Sequence, residues 1–142
     1  LPNHLAALGN SQLMRIKKFN EKRKRIAKTY KINLINLSDI IKSPIVPKNF
    51  THSYQMYTIR VDKKLRNNFI YYLNSKGIGA SAHFDPPLHK QKIFKNYKKG
   101  TLKNTEALSK EIVTLPIYPD LKQIKVKYIL KIINNWYLNQ KK

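Results

Sequence analysis

The beginning of the chain carries one long helical pattern of apolar and polar residues. Between Leu5 and Tyr30 the apolar residues recur mostly at steps of three and four, with no proline inside. This spacing is typical of an amphipathic α-helix. The opposite face is basic, and we interpret it as a solvent-exposed face. It holds Lys17, Lys18, Lys22, Lys24, Arg25 and Lys28.

The pattern then changes to the alternation of a strand and back again. Residues 53–62 alternate, with Tyr57, Ile59 and Val61 on one side, which predicts a half-buried strand. Residues 65–73 return to helical spacing. We expect this helix to end at Gly77, because glycine readily adopts the left-handed conformation that closes many helices.

The next stretch, GIGASAHFDPPLHKQ, spans residues 77–91 and predicts a second strand followed by a loop. Its apolar side holds Ile78, Ala80, Ala82 and Phe84, and its other side holds Gly79, Ser81, His83 and Asp85. Pro86 and Pro87 cannot donate to a strand ladder, so the strand is expected to stop there. The loop that follows displays His89 and Gln91.

The remaining pattern completes an alternation of helices and strands. Asn104 is placed to cap a short helix with Glu106 in its first turn, a strand follows over residues 113–119, and residues 126–137 form a last amphipathic helix. This order predicts an α/β fold of two layers, in which a small sheet carries helices on one face and a long leading helix precedes it. At 142 residues, one domain is expected.

Charge is the most unusual property of the composition. The formal net charge is +22, and only five of the 29 basic residues are arginine. Such charge attracts nucleic acid, so a lysine-rich nucleic-acid-binding module is one alternative. Lysine, asparagine, isoleucine and tyrosine all have A/T-rich codons, however, and we favour codon drift over a selected polyanion site. Nucleic acid is therefore not the expected partner.

Two absences narrow the class of protein. The chain has no cysteine, which excludes disulfides and thiolate metal ligands. It has neither an apolar run long enough to cross a bilayer nor a cleavable leader. We therefore expect a cytoplasmic protein with no membrane partner.

His83 and His89 are the candidate chemical groups, since they stand on either side of the double proline. They are not spaced by one helical turn, and Asp85 is the only nearby carboxylate, so we predict no metal site. The sequence has no serine elbow and no carboxylate pair typical of a self-contained hydrolase. For His83, a general acid or base and a hydrogen-bonded strand histidine both remain open.

Four ordered blocks carry a resemblance to a known family. They are LPNHLAALGNSQLMRIKKFNEKRKRIAKTY, SYQMYTIRV, GIGASAHFDPPLHKQ and TEALSKEIVTLPIYPDL. In this order and spacing they resemble the C-terminal part of nucleotide-sugar aminotransferases of the DegT/DnrJ type, over nearly the whole chain. The GIGAS segment, followed by the double proline, is similar to the sequences of the branch that acts at the 4-position of the sugar, as in perosamine-type synthases.

The resemblance implies the small C-terminal domain of a fold type I aminotransferase, with a short, mostly antiparallel sheet. Residues 1–32 would be a long interdomain helix, and residues 33–142 the small α/β domain that closes over the substrate. Such enzymes are dimers with active sites at the subunit boundary. A homodimer, or a partnership with an N-terminal cofactor domain, is therefore expected.

The resemblance also implies a reaction and a set of substrate-binding residues. The family moves an amino group from glutamate or glutamine to a nucleotide-linked keto-deoxysugar, in amino-sugar and surface-polysaccharide biosynthesis. The expected substrate-binding residues are His83, Phe84, Pro87, His89, Gln91 and Tyr118.

The cofactor of the family is pyridoxal 5'-phosphate, but its Schiff-base lysine has no counterpart in this sequence. Neither do the aspartate that pairs with the pyridine nitrogen and the aromatic residue that stacks on the ring. A lysine attacks only when an aldehyde cofactor is held beside it. We therefore expect no catalytic and no cofactor-binding residue in this chain, which would be inactive alone. A third alternative is the docking half of a split enzyme.

Overall fold

A computed structural model describes residues 2–97 and 100–141. Residue 1, where the predicted segment 1–32 begins, and residue 142, where the predicted segment 33–142 ends, lie outside the described residues. The described part contains five α-helices and three strands. In chain order they are α1 (Asn3–Leu13), α2 (Ile16–Leu34), β1 (Ile41–Lys42), β2 (Tyr57–Val61), α3 (Arg66–Ser75), α4 (Lys103–Ser109), β3 (Ile112–Leu115) and α5 (Gln123–Gln140). Short 3-10 turns lie at Ile35–Leu37, Leu88–Lys90 and Lys92–Tyr97.

The sheet is antiparallel with the strand order β1-β2-β3. Ile59 lies opposite Val113, and both side chains are fully buried. The alternation along β2 and β3 therefore places Thr58 and Thr114 on the other face of the sheet, where both are half-buried. The predicted α/β fold with a short antiparallel sheet is confirmed. The two-residue strand β1 is too short to leave a pattern in the sequence.

The core lies between the sheet and the helices α2, α3 and α5. Trp136 of α5 is 1% exposed, and its ring meets that of Phe69 edge to face with the centroids 4.6 Å apart. Its indole N–H donates to Asn68 Oδ1 at 2.8 Å. Tyr30 of α2 is also buried and donates its hydroxyl to the carbonyl of Pro116 at 2.9 Å. Both polar groups are thus satisfied inside the core, as buried groups must be.

The leading helix extends over the predicted residues but is interrupted at Met14 and Arg15. The Arg15 N–H bonds to the carbonyl of Gln12, three residues back, and the helix resumes at Ile16. The second half of α2 is buried in the core, whereas α1 buries none of its residues. Periodicity shows which residues share a face, but it does not show whether the helix axis is continuous.

The predicted strand over residues 78–85 is wrong except at one point. Ser81 and Thr114 form a single bridge, and no other residue of this stretch belongs to a strand. Ile78 and Ala80 are buried as the alternation predicts. Phe84 is 64% exposed because its φ of 59° turns the chain before the prolines are reached. The peptide bond that follows, Asp85–Pro86, is cis.

The two predicted helix ends have different outcomes. Gly77 closes α3 at φ 72°, and the N–H of Ile78 bonds to the carbonyl of Leu73 at 3.0 Å, which confirms the predicted end. The predicted cap at Asn104 is wrong, because α4 begins at Lys103, two residues earlier than such a cap implies, and Leu102 occupies the cap position without a side-chain bond. Glu106 does lie in the first turn, as predicted.

The last helix confirms the predicted apolar stripe. Val126, Ile129, Ile133 and Trp136 are all buried on the face of α5 that meets the core. No helix within residues 2–97 and 100–141 combines the length and apolar character needed to cross a membrane.

Candidate functional site

The histidine turn, which we define as residues 81–91, lies beside β3 and α4 and contains five of the six predicted site residues. His83 is exposed, and its Nδ1 lies 3.0 Å from Thr114 Oγ1 and 3.4 Å from Ser81 Oγ. Thr114 Oγ1 in turn lies 3.4 Å from Thr58 Oγ1 on the outer face of the sheet. The His83 side chain is thus held through Nδ1, and within the described residues no hydrogen bond reaches its Nε2.

Phe84 adopts a backbone conformation that bulky residues rarely occupy. Its φ is 59°, in the left-handed region. Its ring is mostly exposed, with its centroid 6.3 Å from that of His83. Residues held in such conformations cluster at ligand-binding sites, because the surrounding structure must stabilise them. An imidazole and a phenyl ring are thus presented together to solvent.

The turn is attached to the domain through an ion pair at Asp85. The Arg66 guanidinium donates to Asp85 Oδ2 at 2.5 Å. The same guanidinium donates to the backbone carbonyls of Ser109 and Lys110, at 3.2 Å and 3.1 Å, where α4 ends. A cation at a helix C-terminus is favourable because the last carbonyls are unpaired and the helix dipole is negative there.

A second set of contacts attaches the other end of the turn to α4. Glu106 accepts a bond from Lys90 Nζ at 2.6 Å, and its other oxygen lies 3.1 Å from His89 Nε2. The Lys90 bond, followed by the His89 bond, lowers the pKa of Glu106 to about 2. His89 is therefore held through its Nε2, and its side chain is only 15% exposed.

A cavity of about 480 Å³ lies between the histidine turn and α4. Three of the predicted residues line it: Phe84, Pro87 and His89. The rest of the lining is Leu88, Leu102, Thr105, Leu108, Ser109 and Ile112. Most of these side chains are apolar, and the Ser109 hydroxyl already donates to the Glu106 carbonyl at 3.0 Å. The cavity is an apolar recess with a few polar atoms near its walls.

Two predicted residues lie outside this cavity. Gln91 donates its side-chain amide to the carbonyl of Pro86 at 3.4 Å, which closes the turn on itself. Tyr118 is 45% exposed and lines a separate groove of about 470 Å³ between Gly77 and α5. The structure therefore gathers Phe84, Pro87 and His89, places His83 beside Phe84, and leaves Gln91 and Tyr118 apart from the recess.

Sequence reasoning missed Arg66 and Thr114, which hold the turn from outside it together with Glu106. One signal for Arg66 was present, because it stands in the first turn of α3, where the helix dipole disfavours a cation. A basic residue at that position indicates a partner elsewhere in the fold. Thr114 gave no signal, since a threonine on the outer face of a strand is ordinary.

A metal ion and pyridoxal phosphate would each need particular side chains at this site. In the described part of the chain, no three His, Asp or Glu side chains come together as a metal site would require. Pyridoxal phosphate needs an amine for its aldehyde and donors for its phosphate. Among the described residues that line the apolar recess there is no lysine or arginine, so this lining does not fit that cofactor.

Comparison with known proteins gives consistent results. The family model of the DegT/DnrJ/EryC1/StrS aminotransferases matches residues 1–134. A pleiotropic regulatory protein of Geobacillus stearothermophilus is 30% identical over 135 residues, which are 93% of this chain and 36% of that protein. The dTDP-3-amino-3,6-dideoxy-alpha-D-galactopyranose transaminase of Aneurinibacillus thermoaerophilus is 28% identical over 131 residues, which are 92% of this chain and 35% of that protein.

A solved structure shows the same fold. The aminotransferase TlmJ from Streptoalloteichus hindustanus superposes with a TM-score of 0.87 at 24% identity, covering 96% of this chain and 37% of that one. The chain thus spans about a third of the length of the relatives it matches. It is a member of the DegT/DnrJ/EryC1/StrS aminotransferase family.

Proposed function

We propose that this chain supplies part of the substrate-binding wall of a nucleotide-sugar aminotransferase. The observation that carries the proposal is the exposed pair formed by His83 and Phe84, held beside an apolar recess in a chain that matches an aminotransferase family. The reaction would move an amino group from glutamate or glutamine to a nucleotide-linked keto-deoxysugar. A cytoplasmic location and a role in amino-sugar and surface-polysaccharide synthesis belong to the same proposal.

The histidine turn supports this role because its groups match the parts of such a substrate. His83 is exposed, and its Nε2, which has no hydrogen-bond partner among the described residues, is placed to hydrogen-bond a hydroxyl or phosphate oxygen. The exposed ring of Phe84 offers a flat apolar surface on which a sugar or base stacks. His89 contributes differently, since its Nε2 is engaged by Glu106 and so helps to hold the turn in place.

The chemistry at the amino group would come from pyridoxal phosphate held by other polypeptide. The described lining of the recess does not fit that cofactor, and the chain spans about a third of the length of its relatives. We therefore assign no proton transfer and no nucleophile to this chain. Its own contribution is to bind the substrate and to orient it.

The same proposal assigns residues 1–32 to the connection with a cofactor-binding domain. The face of α1 supports this, since Leu5, Leu8 and Leu13 are 45%, 58% and 67% exposed. Exposed apolar faces of this kind mark interaction sites. Residues 33–142 would then form the small domain, and a second copy would complete a dimer.

The proposal is tested by titrating the isotope-labelled chain with dTDP-glucose and UDP-N-acetylglucosamine and following its NMR spectrum. We expect shifts confined to residues 81–91 and to Thr114. His83→Ala should weaken binding by about tenfold, the loss of roughly one hydrogen bond to a charged group. His4→Ala is the matched control, because His4 lies exposed on α1.

Two results would contradict the proposal. One is the absence of any shift in the histidine turn at millimolar probe. The other is binding of single-stranded DNA that falls steeply with rising salt and prefers particular sequences, which would favour the lysine-rich nucleic-acid-binding module instead.

A further inference from the structure

Arg66 stands at the junction of three elements, and its side chain is only 10% exposed. It begins α3, it donates to the two carbonyls that end α4, and it pairs with Asp85 in the histidine turn. A charged side chain is rarely buried unless it is paired. Among the described residues Asp85 is the only carboxylate that pairs with Arg66.

The pair lies next to the two groups that the proposed function assigns to substrate. Asp85 directly follows Phe84, whose backbone stands at a φ of 59°, and His83 precedes Phe84. Fixing the Asp85 carboxylate therefore fixes the end of the segment from which the phenyl and imidazole rings project. The other end is fixed by the bridge between Ser81 and Thr114.

We propose that Arg66 is a positioning residue that sets the geometry of the His83–Phe84 segment through its ion pair with Asp85, and thereby the affinity of this wall for a nucleotide sugar. The effect on affinity rests on the proposed function; the effect on geometry does not. Among the described residues the hydrogen bonds of Arg66 go to Asp85, Ser109 and Lys110, so it acts on ligand through Asp85.

The shape of the side chain explains why arginine is needed. The guanidinium directs Nε toward Lys110 and one terminal nitrogen toward Ser109 and Asp85, so that one rigid group spans α4 and the turn. Lysine carries a single compact ammonium on a flexible stem and does not reproduce this fork. Arg66→Lys therefore keeps the charge but loses the fixed relation between α4 and Asp85.

The experiment compares Arg66→Lys and Asp85→Asn with the unaltered chain by two measurements. The first is the NMR signals of the His83 ring and of the Phe84 amide without ligand. The second is the affinity for dTDP-glucose. We expect both variants to shift the His83 and Phe84 signals while the signals of α5 stay in place, and to weaken binding of the probe about tenfold.

Two matched controls separate positioning from a general loss of stability. Arg60→Lys alters a similar pair, Arg60 with Glu111 at 2.7 Å, which is half exposed on β2. Ile133→Val destabilises the core without touching the turn, since Ile133 is fully buried in α5. Neither control should shift the His83 and Phe84 signals or change the affinity.

The outcomes distinguish the two proposals. If Arg66→Lys and Asp85→Asn leave the His83 and Phe84 signals unchanged, or if Ile133→Val reproduces their effects, Arg66 is not a positioning residue. If the variants shift these signals but the unaltered chain binds no probe, the geometric role stands and the proposed function fails. Should Arg66→Lys not fold, Asp85→Asn decides the question, because Asp85 is the more exposed member of the pair.

Discussion

Helices α1 and α2 carry similar apolar patterns, yet the fold uses them in opposite ways. In α2, Ile26, Ala27 and Tyr30 are at most 3% exposed. In α1, Leu8 and Leu13 are more than half exposed and no residue is buried. The difference teaches that periodicity identifies a face suited to burial, whereas burial itself depends on a partner element, which α5 provides for α2 alone.

The largest effect that separates the packed core from α1 is expected from truncation of a core side chain. Trp136→Ala removes the ring that meets Phe69 and the bond to Asn68, and should lower the free energy of unfolding by about 3–5 kcal/mol. Leu8→Ala on α1 should change it by no more than about 0.5 kcal/mol. Urea unfolding followed by circular dichroism measures both.

If Trp136→Ala does not fold, Ile133→Val provides the measurement, with an expected cost of about 0.5–1.5 kcal/mol. Equal costs for the core variant and for Leu8→Ala would show that α1 is buried in solution, which contradicts the comparison.

The next effect concerns the contact that holds α2 against the end of β3. Tyr30→Phe removes the hydroxyl bonded to the Pro116 carbonyl and leaves that acceptor unpaired, at a cost of about 1–3 kcal/mol. Burial, with Tyr57 and Tyr118 adding to it, raises the pKa of Tyr30 above its ordinary value of 10.0. The folded state thus favours the neutral phenol, and its contribution is full below pH 10 and lost as the pH rises further.

This linkage predicts a smaller alkaline loss of stability in Tyr30→Phe than in the unaltered chain. Burial also raises the pKa of Tyr57, so Tyr30→Phe should retain part of the alkaline loss of stability. Urea midpoints at about pH 8 and pH 11 measure the difference. An identical alkaline loss in both proteins would contradict the burial of the Tyr30 hydroxyl.

A smaller effect is expected at the histidine turn under acid conditions. Lys90 and then His89 lower the pKa of Glu106 from its ordinary value of 4.5 to about 2 in the fold. Its contribution to stability is therefore present above pH 4.5 and lost as the pH falls toward 2. Glu106→Gln should reduce this loss of stability at low pH. It should also reduce the salt dependence of stability.

Glu106→Gln will still lose some stability at low pH. The reason is that Lys141 lowers the pKa of Asp39 and Lys22 lowers the pKa of Asp120 in the fold. Glu21→Gln is the control, since Glu21 is exposed on α2 and forms no ion pair within the described residues. If the two variants lose the same stability at low pH, Glu106 does not form the described contacts with Lys90 and His89.

The smallest effect on stability, paired with a change in association, is expected on α1. Leu5→Ser combined with Leu8→Ser should leave the urea midpoint nearly unchanged, because both side chains are already exposed. The same change should reduce self-association of the chain, measured by sedimentation velocity, since an exposed apolar face drives contact between copies. Unchanged self-association would show that this face is not an interaction surface.

The sequence predicted the parts of the fold that local pattern determines. β2 and α5 show clear periods of two and of three to four, and Gly77 supplies a residue-specific helix end. The strand expected at residues 78–85 failed because the Asn74 side chain bonds both the N–H and the carbonyl of Ala80, and because the left-handed backbone of Phe84 ends the alternation. The neighbours of Phe84, Asp85 and His83, bond to Arg66 and Thr114, which are distant in the sequence, so the pattern within residues 78–85 does not reveal these contacts.

The candidate site was predictable in part for the same reason. His83, Phe84, Pro87 and His89 lie within seven residues, so proximity along the chain places them in one region. Their distinct environments were not predictable. His83 is bonded at Nδ1 and, among the described residues, has no partner at Nε2, whereas the Nε2 of His89 is bonded to Glu106. Tyr118 was predicted to belong to the same site but lines another groove, because β3 separates that groove from the apolar recess.

The most direct test of the central claim is a crystal structure of the chain soaked with dTDP-glucose. We expect the nucleotide sugar against Phe84, with one oxygen within hydrogen-bond distance of His83 Nε2. A probe held only by surface lysines on α2 or α5, with the histidine turn unoccupied, would contradict it.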